Sequence, residues 1–179
     1  MPLTLASRSP QRRAILEQLG VRFDVVVPEV EETTEGDPRG MVVENALRKA
    51  RAVSGELVLG VDTTVVIDGR AFGKPGDRDE ATRMLRMLSG REHEVWSGLA
   101  LIRDGEERTA ADCTRVRFRS LDDGLLRWYL DSGEWRERAG GYAIQGRGAA
   151  LVAAVDGDFW NVVGLPVPEL LRLVPDLLL

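Results

Sequence analysis

Residues 3–6 (Leu-Thr-Leu-Ala) form an apolar run that passes through the hydroxyls Ser7 and Ser9 into a proline-opened helix. This strand-to-helix start sets the chain on an α/β course. Ser9 suits an N-cap, Pro10 the first helical position, and Gly20 ends the helix after Leu19. Free N–H groups at such a helix start attract anions, and Arg12 and Arg13 add forked donors that suit phosphate. Cations in a first turn oppose the helix dipole, so an anion is expected to compensate them. The competing reading is a capped surface helix with solvated arginines.

The alternation continues. Strands are expected over 3–6 and 23–27, with a helix over 10–19 between them. An acidic loop over 29–39 leads to a helix over 40–53, then a buried strand over 57–61. Asp68-Gly69 marks a hairpin between 64–67 and 70–72. A helix over 80–88, long strands over 95–102 and 109–118, and a helix over 121–130 follow. A glycine-rich loop over 139–146 precedes a hairpin of 149–155 with 159–163, and the last helix covers 168–174. The pattern predicts a mixed sheet with flanking helices, not a simple βαβ repeat.

At 179 residues and 44% hydrophobic, the chain can bury one core, or two small lobes sharing one. A net charge of −5 argues against broad binding to nucleic acid or anionic membrane, so phosphate recognition has to come from a local basic site. The single Cys113 rules out an internal disulfide and fits a reducing compartment. Met1-Pro2 shows no basic leader, Arg8 interrupts the apolar start, and no apolar run is long enough for a bilayer. A cytoplasmic location is expected.

Asp62 closes the apolar run Leu59-Gly60-Val61, and strand ends in α/β sheets are where ligand crevices open. A carboxylate there can hold a divalent cation or take a proton from water; it can also simply cap a turn. Glu31 and Glu32 offer hard oxygen ligands, or are solvated loop acids. Lys49 ends a helix, where a cation is favourable in any case. Lys74, in Gly73-Lys74-Pro75, is a weak phosphate signal whose spacing is not that of a P-loop. His93 is the only histidine, so a His-rich zinc site is excluded. No Gly-x-Ser-x-Gly elbow supports a Ser-His-Asp triad on it, and a strand-start histidine with a local hydrogen bond is the better reading. In the glycine-rich loop Gln145 can donate and accept, so it can read a pyrimidine edge, while Tyr142 either stacks on a ligand or fills the core.

None of these signals is specific alone; their order is. Ser7-x-Ser9-Pro10-x-Arg12 is followed by Glu31, Lys49-Ala50, Gly60-Val61-Asp62-Thr63 and Gly73-Lys74-Pro75. Then come Leu88-Ser89-Gly90 with His93 and Val95, the run from Ala139 to Gly146, and Asn161-Val162-Val163-Gly164-Leu165-Pro166. This order resembles the Maf family of nucleoside triphosphate pyrophosphatases across essentially the whole chain, as a single domain over 1–179.

The resemblance implies an elongated mixed sheet with flanking helices and two lobes around a cleft, similar to the inosine triphosphate pyrophosphatase fold. It implies hydrolysis of a nucleoside triphosphate to the monophosphate and pyrophosphate with a divalent metal, Mg2+ or Mn2+. Asp62 matches the proposed proton acceptor, and Gln11, Thr63 and Gln145 match positions linked to base selection. Ser7, Ser9, Arg12, Lys49 and Lys74 are the implied phosphate ligands, Arg13 follows the motif as an extra phosphate candidate, and Glu31 with Asp62 are the implied metal ligands. The Tyr-x-Ile-Gln-Gly pattern is similar to the subgroup acting on dTTP and UTP. Family members are associated with septum formation and division arrest, so a nucleotide-binding regulator without turnover is the alternative. A homodimer, the commonest oligomer, is the assembly to test. Two departures stand out: Gln11 replaces a usual arginine, and Glu137-Arg138 replaces a usual Asp-Lys.

Overall fold

The computed structural model describes residues 2–179; Met1, part of the leader argument, lies outside them. The chain runs β1 (Leu3–Ala6), α1 (Pro10–Gln18), β2 (Phe23–Val26), α2 (Pro38–Arg51), β3 (Leu57–Ile67), β4 (Arg70–Phe72) and α3 (Arg78–Leu88). It continues through β5 (Glu92–Arg103), β6 (Glu106–Phe118), α4 (Asp123–Asp131), β7 (Val152–Asp156), α5 (Phe159–Val163) and α6 (Val167–Leu173). Seven strands form one mixed sheet in the order β2-β1-β3-β5-β6-β7, with β4 also paired to β3. β1 runs parallel to β2 and β3; the remaining pairs are antiparallel. The expected α/β class, with a mixed sheet and flanking helices, is what forms. No helix among the described residues is long and apolar enough to cross a membrane.

The break that creates the site lies along β3. On one edge, β1 pairs only up to Ala6 opposite Gly60, and β4 picks up only at Val65. Residues 61–64 therefore keep a free edge on that side while β5 pairs them on the other. Asp62 is thus not at a strand end, as its sequence position implied, but in mid-strand where the parallel neighbour stops. The crevice still opens at the end of β1, as the α/β rule requires.

Side-chain alternation divides β3 between two faces. Odd-numbered residues supply two apolar clusters. One gathers Leu57, Leu59 and Val61 with Leu16 of α1 and Leu170 of α6. The other gathers Val65 and Ile67 with Leu85 of α3 and Tyr129 of α4. Between them Thr63 Oγ1 and Ser97 Oγ sit 2.8 Å apart, a polar belt across an otherwise apolar face. Two lobes on one long sheet are the result.

The opposite face is covered by α2. Asp37 caps it by accepting from the Gly40 N–H at 3.0 Å, and Pro38 fills the first turn, so the helix starts two residues before the expected 40. Its buried stripe includes Met41, Val42, Asn45, Ala46, Lys49 and Ala50. The backbone approaches the sheet closely because Gly60 and Gly98 lie beneath it. A Cβ on Gly60 would sit 2.1 Å from the Ala46 carbonyl oxygen, and one on Gly98 would sit 2.3 Å from that of Val42. Those two glycines let Asn45 and Lys49 come down on Asp62.

Two local expectations fail. The segments 57–61 and 64–67 are one continuous strand, because β5 pairs with β3 without interruption from Leu57 to Val66. Residues 159–163, with their β-branched pair Val162-Val163, are the helix α5. Asp158 accepts from the Trp160 N–H at 2.8 Å, and Gly164 at φ +132° ends it, so capping outweighs β propensity.

Candidate active site

At the free edge of β3 a cleft of ≈ 900 Å³ opens, within the size range of small-ligand sites. Its floor is the Asp62 carboxylate. Lys49 Nζ donates to Asp62 Oδ1 at 2.7 Å, and Asn45 Nδ2 donates to Oδ2 at 3.0 Å. Lys49 also lies 3.0 Å from Glu32 Oε1. The Lys49 and Asp62 side chains are each only 10% exposed, which makes this a largely desolvated pair rather than a surface one. Asn45 and Lys49 are four residues apart, so one helix face delivers both donors.

Asn45 also fixes the acidic loop. Its Nδ2 donates to the Thr33 carbonyl at 3.0 Å, and its Oδ1 accepts from the Thr33 N–H at 2.8 Å. That clamp carries Glu31 and Glu32 into the cleft wall. Glu32 reaches Lys49; among the described residues Glu31 has only its backbone carbonyl engaged, by Arg48 Nη1 at 3.0 Å.

The opening segment forms the next wall. Arg12 is buried, and its guanidinium is a structural knot. Nε donates to the Gly164 carbonyl at 2.8 Å, Nη1 to Ser7 Oγ at 2.9 Å, and Nη2 to Thr63 Oγ1 at 3.1 Å. Burial pushes its pKa down, while the negative charges of Asp62 and Glu32 pull it back up. Ser9 caps α1 as expected, accepting from the Arg12 N–H at 3.4 Å, and donates to Gln11 Oε1 at 2.7 Å. Gln11 is buried at the cleft lining with that oxygen committed, which leaves its amide N–H₂ as the available group.

Ser7, Ser9, Gln11, Arg12, Glu31, Lys49, Asp62, Thr63, Lys74 and Gln145 all line this one cleft. Arg13 does not. It follows Arg12 by one helical step, about 100° round α1, and is half-buried. Lys74 stands at the exposed end of the cleft, 3.0 Å from Glu137 Oε2.

His93 is not part of the cleft lining, and its hydrogen bond is not local. Nε2 lies 2.7 Å from Tyr142 OH, 49 residues away in sequence. The imidazole packs edge-on against the Phe118 and Tyr142 rings, and burial lowers its pKa to about 4. Tyr142 is core and cleft wall at once, being 5% exposed. The Ala143 N–H donates to Tyr129 OH at 3.0 Å and the Gly140 N–H to the Gly73 carbonyl at 3.1 Å, so the loop that presents Gln145 is tied down along its length.

Sequence reading missed Asn45 as a partner of Asp62 and Arg8, Glu137 and Arg138 as cleft groups, and it named Glu31 rather than Glu32 as the metal-side acid. Asn45 had a usable signal, its four-residue spacing from Lys49 on an otherwise apolar face. The others meet only through tertiary contacts.

The Maf-like protein family matches residues 2–177. The dTTP/UTP pyrophosphatase of Symbiobacterium thermophilum is 49% identical over 178 residues, covering 96% of this chain and 92% of that protein. That of Thermococcus onnurineus is 46% identical over 175 residues, covering 96% and 95%. Among solved structures, the Ham1 protein of Staphylococcus aureus overlaps 66% of this chain and 72% of its own at 12% identity and TM-score 0.48. With a family match from end to end and relatives nearly half identical, the chain belongs to the Maf family.

Proposed function

We propose that this chain hydrolyses nucleoside triphosphates, dTTP and UTP foremost, between the α- and β-phosphates, releasing the nucleoside monophosphate and pyrophosphate. The observation that carries this reading is the buried Lys49–Asp62 pair on the floor of a cleft walled by further cations. The name dTTP/UTP pyrophosphatase borne by relatives of near full-length similarity supports the substrate class.

In this mechanism Asp62 takes a proton from the attacking water, the water oxygen bonds to phosphorus, and the α–β bridging bond breaks to release pyrophosphate. Lys49 and Asn45 orient the Asp62 carboxylate for that role. Arg12, Lys49 and Lys74 stabilise charge on the phosphates and the leaving group, the term that dominates in phosphoryl chemistry. Ser7 and Ser9 contribute hydroxyls beside the first turn of α1. Gln11, Thr63 and Gln145 select the base, with the Gln145 amide able to pair with both a carbonyl and an N–H of a pyrimidine edge.

The donor set fits a divalent cation. No three acids, cysteines or histidines converge among the described residues, which disfavours a dedicated protein cage. Mg2+ is instead commonly held by one or two carboxylates, with phosphate oxygens and waters completing its shell. Asp62, with Glu31 or Glu32 across the cleft, would hold Mg2+ or Mn2+ in that way. When bound, the cation would supply charge neutralisation on the phosphates.

Purified protein incubated with dTTP, UTP and a panel of other triphosphates in Mg2+ tests the reading. Equal release of monophosphate and pyrophosphate is expected. Release of inorganic phosphate instead, or tight binding without turnover, would overturn it, the second in favour of a nucleotide-binding regulator.

A further inference from the structure

We infer that Lys74, Arg8 and Arg138 form a pyrophosphate-binding subsite at the exposed end of the cleft, and that Glu137 is a placeholder anion which the incoming phosphates displace. The inference rests on the pyrophosphatase reading above and adds Arg8, Arg138 and Glu137 to the phosphate ligand Lys74 named there.

All four side chains line the same cleft. Lys74 Nζ pairs with Glu137 Oε2 at 3.0 Å, and the two side chains are 47% and 63% exposed, so the pair is open to exchange with a solute anion. Lys74 holds the Glu137 carboxyl below its usual value, and the positive charges of Arg8 and Arg138 act on it in the same direction. Three cations and one carboxylate thus share this part of the cleft lining. Neither Arg8 nor Arg138 has an ion pair among the described residues, and the Arg138 Nε–H is buried without a partner. A buried guanidinium N–H lacking an acceptor is the mark of a group waiting for one.

The backbone carries a second mark. Glu137 sits at φ +57°, in the left-handed region that non-glycine residues rarely occupy. The loop is fixed there because the Gly140 N–H donates to the Gly73 carbonyl at 3.1 Å, linking it to the segment that carries Lys74. The strained residue is thus the one whose carboxylate meets the lysine, and strain of this kind concentrates at ligand clamps. A pyrophosphate group brings more negative charge than one carboxylate. It can engage Lys74 and both guanidiniums together, whereas Glu137 binds Lys74 alone.

Titration calorimetry with inorganic pyrophosphate in Mg2+ at low salt tests this without requiring turnover. Glu137→Gln keeps side-chain size and backbone demand, and is expected to tighten binding by about 5-fold, the scale of one exposed ion pair. Arg8→Ala is expected to weaken binding by a similar factor, and both effects should shrink as added salt screens the charges. Binding that is unchanged or weaker in Glu137→Gln would overturn the placeholder, and unchanged binding in Arg8→Ala would overturn the subsite. Failure of wild-type protein to bind pyrophosphate while it turns over dTTP would also sink the subsite but leave the pyrophosphatase reading standing. Binding with the expected variant pattern, but no turnover of any triphosphate, would do the reverse.

Discussion

Lys49 Nζ lies 2.7 Å from Asp62 Oδ1, a contact that rests on the close seating of α2 over Gly60 and Gly98. The contact ties the candidate base to the packing of α2 on the sheet. Chemistry and fold are coupled at this pair, so substitutions can be chosen to separate the two.

Asp62→Asn keeps shape and removes the charge. Turnover of dTTP at saturating Mg2+ should fall by about 100-fold or more, the usual worth of a positioned base. Glu32 remains as a partner for Lys49, so the stability cost should stay below the roughly 3–5 kcal/mol of a buried pair broken outright. Steady-state kinetics with a parallel denaturant melt measures both. Near-wild-type turnover would remove Asp62 from the proton-acceptor role.

Gly60→Ala tests the packing half. The added methyl meets the Ala46 carbonyl oxygen and the Ala50 backbone nitrogen, neither of which is a flexible side-chain end. Overpacking of this type costs about 1–3 kcal/mol, and lifting α2 should withdraw Asn45 and Lys49 from Asp62. Lower stability together with lower kcat is expected, although no cleft side chain is altered. A variant that is destabilised but fully active would show that the helix seating does not position the base.

The seating of α2 was only partly legible in the sequence. The helix itself could be read from Val42, Val43, Ala46, Leu47 and Ala50, because helical periodicity is local. The close approach over Gly60 and Gly98 could not, since it needs the pairing of β3 with β5. Arg12 shows the same division. Its place beside a helix start is written in Ser9-Pro10, but its bond to the Gly164 carbonyl spans 152 residues. Residues 159–163 were misread because Val162-Val163 favour a strand while the Asp158 cap works through one backbone N–H. The order of motifs located the cleft groups well; pairings such as Lys74–Glu137 belong to loops that meet only in the folded chain.

Glu32 and Glu31 are neighbours with different surroundings, and only Glu32 contacts Lys49. Glu32→Gln should lower turnover and raise the Mg2+ concentration needed for half-maximal rate more than Glu31→Gln does. A metal titration of both variants against wild type gives the answer. A larger shift in Glu31→Gln would assign the metal-ligand role to Glu31 instead.

His93 should make the protein acid-sensitive. Its folded pKa is about 4 against an unfolded value of 6.5, because burial disfavours the charged ring. Between those values the unfolded chain binds the extra proton and the folded chain does not. Stability is therefore full above pH 6.5 and falls as the pH drops towards 4, by a total of about 3 kcal/mol. Thermal melts across that window should show the slope, and His93→Gln should flatten it. An equal slope in the variant would assign the acid sensitivity to other groups.

Gln11 stands where the family resemblance leads one to expect an arginine, and the structure gives it a defined orientation. With Oε1 held by Ser9 Oγ at 2.7 Å, its N–H₂ is the end free to meet a ligand. An arginine there would place a second guanidinium beside that of Arg12 and trade a neutral donor for a charged one. Gln11→Arg should therefore change the ranking among nucleoside triphosphates more than it changes the best kcat. Reading kcat/KM for each member of the panel separates the outcomes. A uniform change across all bases would mean that position 11 acts on the phosphates, and an unchanged profile would mean that it acts on neither.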